Sequence, residues 1–439
     1  MPVKTLDTAV DVYALHRRWR SRFPFLLESV AQNAKLGRYD ILFSKPQQVM
    51  TLNALSEDDF LSRFDQQWRA HRDDEDTGIP ADIPFRGGWF VFFAYELAQQ
   101  IEPKLALTAP PYPIAYAGKC ASAIVVDKVA GRTHLVADRS DPDAIAELLQ
   151  AIDELTTPPS PPAFTQSVCE DDDAGFLDGV EKARQYIIDG DVFQVNLSRG
   201  WWFDMPLAQR DALYAQLRHA NPAPFAASCD LAFDGGEVSI LSSSPERLIS
   251  IRGGRIETRP IAGTRARGHD EASDKALSKE LIGHLKERAE HVMLIDLERN
   301  DLGRICRAGT VRVDELMVIE SYAHVHHIVS NVIGDLRAEV SPADAIRAVF
   351  PGGTITGCPK VRCMQIIHEL EQTHRGVYTG SLGYVNHNGD MDSNILIRTF
   401  ACHDGRVDCR AGAGVVFDSV PKHELKETRN KARGLLRAL

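Results

Sequence analysis

The 439-residue chain contains no run of about eighteen apolar residues, so no membrane-spanning helix is expected. Its start, Met-Pro-Val-Lys-Thr-Leu-Asp, has no apolar core of a leader, so no signal peptide is expected either. The chain also lacks a C-x-x-C pair. Its eight cysteines are scattered from Cys120 to Cys409, which suits reduced thiols in a cytoplasmic protein better than a zinc or disulfide framework. An excess of positive charge is missing too. Fifty Lys and Arg stand against sixty-one Asp and Glu, a net charge of −11, which argues against a nucleic-acid-binding surface. What remains is ordinary globular composition, 44% hydrophobic and 25% charged, in a chain long enough for a large core.

The clearest linker is Thr156-Thr157-Pro158-Pro159-Ser160-Pro161-Pro162, where proline can continue neither a helix nor a central strand. It is followed by the acidic run Glu170-Asp171-Asp172-Asp173. This divides an N-terminal region, 1–155, from a C-terminal region, 175–439, that carries nearly all the motifs. No internal repeat is visible. Helical and strand periodicities are mixed, and the strands are joined by hairpin signals and not by crossover helices. That pattern predicts an α+β fold with antiparallel sheets.

The stretch 246–264 is the most telling. Gly253-Gly254 lies between two β-branched-rich runs, and a Gly-Gly pair there predicts a two-residue hairpin turn. Arg252 then pairs with Arg255, and counting outward puts Glu246 opposite Ile261, beside Ala262, Gly263 and Thr264. An acid at the mouth of a hairpin, facing exposed backbone, is a reasonable constellation for a small substrate. Two further turn signals, Asn388-Gly389 and Asp404-Gly405, predict a three-stranded meander from about Tyr378 to Val415. In that register Tyr378 lies opposite Thr399 and Arg398 opposite Ala411. Tyr378, Arg398 and Gly412-Ala413-Gly414 then gather at one end of one sheet. A guanidinium fork beside glycine amides suits a carboxylate. The plainer reading is an arginine paired with a nearby aspartate.

Glu287 and Glu290 are three residues apart on a helical stretch, and Glu424 and Glu427 repeat that spacing on the last helix. Each pair alone reads as a solvated helix face. Two such faces meeting would form a four-carboxylate cage, an all-oxygen site suited to Mg²⁺. In Tyr322-Ala-His-Val-His-His327, His324 and His326 alternate on one face of a predicted strand and His327 lies on the other. A structural or substrate-touching histidine is expected there rather than a metal site.

Taken in order, Gln194-Val-Asn-Leu-Ser198, Ser244-Pro-Glu246, Pro260-Ile-Ala-Gly-Thr-Arg265, Glu287-Arg-Ala-Glu290, His327-Ile-Val-Ser330, Phe350-Pro-Gly-Gly-Thr-Ile-Thr-Gly357, Ile397-Arg-Thr399 and Gly412-Ala-Gly414 resemble the chorismate-utilising enzymes. The resemblance is strong over about 175–439. Phe25-Leu-Leu-Glu-Ser29 and Gly87-Gly-Trp-Phe are similar to the N-terminal part of the aminating members. It implies two large antiparallel sheets packed face to face with helices outside. It also implies Glu290 and Glu427 as direct Mg²⁺ ligands, with Glu287 and Glu424 behind them. Chorismate would be bound by Gly263, Thr264, Tyr378, Arg398 and Gly412–Gly414, with Thr354 and His327 at other active-site positions. Glu246 would be the general acid that helps the C4 hydroxyl leave.

Within the family, isochorismate-forming members carry a water-activating lysine where this chain has Gln194, so ammonia is the expected nucleophile. Asn196, Tyr39-Asp-Ile-Leu42 and Gly380-Ser-Leu-Gly-Tyr384 resemble the branch that aminates C4 to give aminodeoxychorismate. The alternative is the anthranilate-forming branch, which aminates C2 and expels pyruvate; a non-catalytic chorismate-binding homologue is a second. A tryptophan-pocket-like set, Leu27, Ser29, Pro224, Phe225 and Ala226, is present in altered form. Ala262 stands where many C4-aminating members have a nucleophilic lysine. Direct attack by ammonia is therefore expected. The chain has no Gly-x-Cys-x-Gly nucleophile elbow, so a separate glutamine amidotransferase subunit is implied as ammonia donor.

Overall fold

The computed structural model describes residues 3–31, 37–73, 78–138, 141, 143–156, 158–161, 165–321 and 325–439. His324, Thr157 and Pro162, named above, lie outside them.

Two antiparallel sheets dominate. The twelve-stranded sheet runs Val3–Leu6, Arg132–Ala137, Ser122–Asp127, Tyr39–Phe43, Phe25–Glu28, Phe225–Phe233, Gly236–Ser244, Thr399–His403, Arg406–Val415, Gln194–Asp204 and Gly357–Cys358, with Cys169–Glu170 beside Gln194–Asp204. The ten-stranded sheet runs Ile261–Ala266, Val325–Asp335, Arg255–Thr258, Arg247–Arg252, Met391–Asn394, Ser381–Asn386, Gly88–Phe93, Ala115–Cys120 and Gln48–Leu52, with Arg312–Ser321 beside Val325–Asp335. The regions on either side of the proline-rich stretch share both sheets: Phe25–Glu28 pairs with Phe225–Phe233, and Gly88–Phe93 with Ser381–Asn386.

The inner faces of the sheets pack on each other. Phe90 and Phe92 of one meet Phe25, Phe43, Cys229 and Ile240 of the other, and the Phe25 and Phe90 rings stack with centroids 4.0 Å apart. Such a stack adds about 1 kcal/mol beyond area burial. The alternate residues Trp89, Val91 and Phe93 face the helices outside, against Phe60, Phe64 and Trp68 of the helix Phe60–Ala70. A strand buried on both faces loses its polar alternation, which is why Gly88–Phe93 reads as one apolar run. Helices such as Val12–Arg18 and Arg210–Ala220 cover the outer face of the other sheet. The expected α+β architecture is thus the observed one.

The hairpins differ in detail from the sequence reading. Gly253 and Gly254 both have positive φ, and Arg252 pairs with Arg255, as expected. The ladder stops at Ser250–Glu257, and beyond Arg259-Pro260 the strand Ile261–Ala266 pairs with Val325–Asp335 instead. Asp404-Gly405 gives the expected register, His403 opposite Arg406. The first turn of the expected meander is one residue off, with Val385 opposite Met391. Asn386 and Asp390 close a longer loop there, Asn386 N–H donating to Asp390 O at 2.8 Å. Nor is there one meander: Met391–Asn394 belongs to one sheet and Thr399–His403 to the other, so the chain crosses between sheets at 395–398. Tyr378 and Arg398 lie outside both strands.

Candidate active site

Glu246 sits where the hairpin strands part. Its carboxyl is buried, 4% exposed, and accepts the Ile261 N–H at 3.4 Å. The predicted opposition of these residues therefore holds, but through a side chain and not a backbone pair. Burial pushes the Glu246 carboxyl up to about 7; the Thr354 hydroxyl, the Ile261 N–H and the Arg398 guanidinium hold it down, while Glu298 pushes it further up. An acid in that range is half protonated at neutral pH and can deliver its proton to a departing oxygen.

His327 faces the same region from Val325–Asp335. Its Nδ1 lies 3.0 Å from Thr264 Oγ1 and 3.3 Å from Gly263 O. Burial, reinforced by Arg398, lowers its pKa to about 3, so the imidazole is neutral. His326, on the opposite face, bonds Ser321 and Asp274 and is structural. Gly263 has φ 65° within a register shift between Ala262 and Thr264. That positive φ favours glycine, and a Cβ there would also lie 2.9 Å from Glu287 Oε2. Ala262 is half-buried on the same strand, opposite Ile328.

The other sheet supplies the glycine stretch. Ser198 pairs with Gly412 and Asn196 with Gly414. A Cβ on Gly412 would lie 2.4 Å from Asn196 Oδ1 and 2.6 Å from Tyr378 Oη, and one on Gly414 would lie 2.5 Å from Gln194 Nε2. Tyr378 and Gly412–Gly414 are thus brought together. Arg398 acts on both Glu246 and His327, which places its guanidinium among them. Asn196 Oδ1 is buried without a hydrogen-bond partner among the described residues, as a polar atom awaiting a ligand is.

The carboxylate pairs lie on the helices Leu285–Gly303 and Pro421–Leu436. Burial pushes Glu290 up to about 7, Lys286 lowers it, and Glu287 and Glu427 add to the rise. Glu424 is also raised, by burial and by Glu427. The two faces therefore meet. Their side chains are nonetheless engaged elsewhere: Glu287 with Arg265 at 3.2 Å and Glu427 with Lys431 at 2.8 Å. Among the described residues no group of three or more His, Cys, Asp or Glu side chains is drawn together as a metal site. Like charges without a cation between them take cationic neighbours. An all-oxygen set whose Glu290 and Glu424 carboxyls are raised by burial and by their carboxylate neighbours fits a hard divalent cation such as Mg²⁺, whose charge would relieve that repulsion.

Sequence reasoning missed Lys431, whose charge acts on both Tyr378 and His327, and Glu298, which takes a hydrogen bond from Thr258 at 3.0 Å and is raised by burial and by Asp301. Lys431 was detectable as the residue one turn beyond Glu427. Leu27, Ser29, Pro224, Phe225 and Ala226 do come together: Leu27 pairs with Ala227, and Ser29 Oγ donates to Pro224 O at 2.7 Å.

A family model described as chorismate binding enzyme matches residues 24–437. The aminodeoxychorismate synthase component 1 of Bacillus subtilis is 50% identical over 295 residues, 67% of this chain and 61% of that protein. The chain thus spans less than two thirds of that relative. The anthranilate synthase component 1 of Pseudomonas aeruginosa is 38% identical over 94% of this chain and 90% of that protein. The solved anthranilate synthase component I of Streptococcus pneumoniae is 31% identical, with a TM-score of 0.80 over 92% of this chain and 93% of that one.

Proposed function

The chain belongs to the family of chorismate binding enzymes, and on that premise we propose that it aminates chorismate at C4, giving 4-amino-4-deoxychorismate. The observation that carries amination is Gln194. Its amide stands against Gly414, at the position where water-activating relatives hold a lysine, and an amide is neither base nor nucleophile. The nucleophile then has to arrive as ammonia, for which a glutamine amidotransferase subunit is the proposed source.

In this reading Arg398, Tyr378 and the Gly412–Gly414 backbone hold the substrate's carboxylates. The neutral His327 serves as a hydrogen-bonding group. The Ile261 N–H occupies one oxygen of Glu246 and leaves the other to carry the acidic proton. Ammonia forms a bond to C2, the ring double bonds shift, and the C4–oxygen bond breaks, the hydroxyl leaving as water with the Glu246 proton. A second ammonia attacks C4, the double bonds shift back, and the first leaves from C2. Ala262 offers no amine for a covalent alternative. Glu290 and Glu427, with Glu287 and Glu424 behind them, would hold Mg²⁺, which when bound would orient the ring carboxylate and stabilise its charge.

A second reading shares the first addition. If the C2 adduct loses pyruvate before a second ammonia arrives, the product is anthranilate. The full-length similarity to anthranilate synthase components favours it, as does Ala262. Chorismate turnover with ammonium and Mg²⁺, followed by product identification, separates the two.

A further inference from the structure

We infer that Arg375 is a positioning residue that sets the floor of the proposed chorismate site, together with Glu371 and, from the N-terminal region, Glu96. Arg375 and Glu371 are almost wholly buried, with side chains 1% and 3% exposed. Arg375 Nε and Nη2 grip the Glu371 carboxylate at 3.0 and 2.6 Å. The same guanidinium donates to Asn196 O at 2.7 Å and Ile355 O at 3.1 Å, and lies 5.5 Å from the centre of the Tyr378 ring. One planar group thus ties three segments, and each carries a residue of the proposed site: Asn196, Thr354 and Tyr378.

The backbone of Arg375 is fixed from the other side. Glu96, 1% exposed, accepts the Arg375 N–H at 2.7 Å and the Gly376 N–H at 3.1 Å. Tyr112 Oη accepts the Val377 N–H at 3.1 Å. Beyond Tyr378, Thr379 has φ 63°, a conformation costly to a β-branched residue and one that surrounding structure has to enforce. A buried ion pair is a poor way to gain stability, because desolvation offsets the attraction. Three fixed donor directions are what the arginine fork supplies and an apolar side chain does not.

The inference rests on the reading of Tyr378 as a substrate contact, with Asn196 and Thr354 beside it in the proposed site, and the test separates the two. Arg375→Lys keeps the charge but loses the fork. The control is Arg20→Lys, which loses a mostly buried fork, 10% exposed, to Asp211 and Asp230, neither of them in the proposed site. With chorismate as substrate, Arg375→Lys should raise KM about tenfold or more with a smaller change in kcat, since misplacement of about 1 Å is enough for such losses. Arg20→Lys should leave both near the parent values while lowering the melting temperature. An unchanged KM, or a change that Arg20→Lys reproduces, overturns the inference. If the parent protein does not consume chorismate, the functional reading fails and the crystal structure of Arg375→Lys decides. Displacement of Tyr378 Oη from Gly412 upholds the positioning role, and an unmoved Tyr378 overturns it.

Discussion

The Glu246 carboxyl takes the backbone N–H of Ile261 across the open mouth of a hairpin whose ladder has already ended at Ser250–Glu257. Strand separation makes room for a buried acid, and one backbone donor fixes it there.

Replacing this acid by its amide tests its role. Glu246→Gln should lower kcat by about 10²–10⁴, the usual worth of a positioned general acid, with KM little changed. Steady-state kinetics within about fivefold of the parent would contradict the assignment.

The same substitution has a stability signature. The folded chain keeps the Glu246 proton to about pH 7, whereas the unfolded chain releases it near 4.5. Stability from this group is therefore fully present below 4.5 and lost as pH rises through 7, a difference of about 3 kcal/mol. Glu246→Gln cannot titrate. Its melting temperature should gain on the parent's between about pH 5 and pH 8, and a constant difference would contradict the raised pKa.

How much of this was legible in the sequence follows from what each signal depends on. Gly253-Gly254 and Asp404-Gly405 are local turn signals, and both registers hold. Asn388-Gly389 failed by one residue because Asn386 and Asp390 close the loop first. The meander failed because turn signals do not say which sheet a strand joins. Arg375, Glu371 and Glu96 look in sequence like ordinary surface charges; only the packing of three distant segments buries them. Glu287, Glu290, Glu424 and Glu427 were visible as spaced pairs, and the approach of the two helices was not.

Glycine 412 offers a steric test. Gly412→Ala places a methyl against Asn196 Oδ1 and Tyr378 Oη, at 2.4 and 2.6 Å before relaxation. KM for chorismate should rise about tenfold or more, since a 1 Å shift suffices. Parent-like kinetics would show that the glycine stretch does not shape the site.

Magnesium can be tested without turnover. Mg²⁺ should bind the parent chain with release of protons, since Glu290 sits up at about 7 in its absence. Glu290→Ala and Glu427→Ala, made separately, should each weaken binding about tenfold or more in calorimetry. Equal binding by either variant would remove that residue from the proposed ligand set.

Ala262 predicts that no covalent substrate adduct forms. Intact-mass spectrometry of the enzyme quenched during turnover with chorismate and labelled ammonium should show the unmodified chain. A trapped adduct would contradict direct attack by ammonia.

The most direct test is product analysis with chorismate, Mg²⁺ and ammonium, with and without aminodeoxychorismate lyase. C4 amination predicts 4-aminobenzoate only when the lyase is present. Anthranilate formed without the lyase would contradict it.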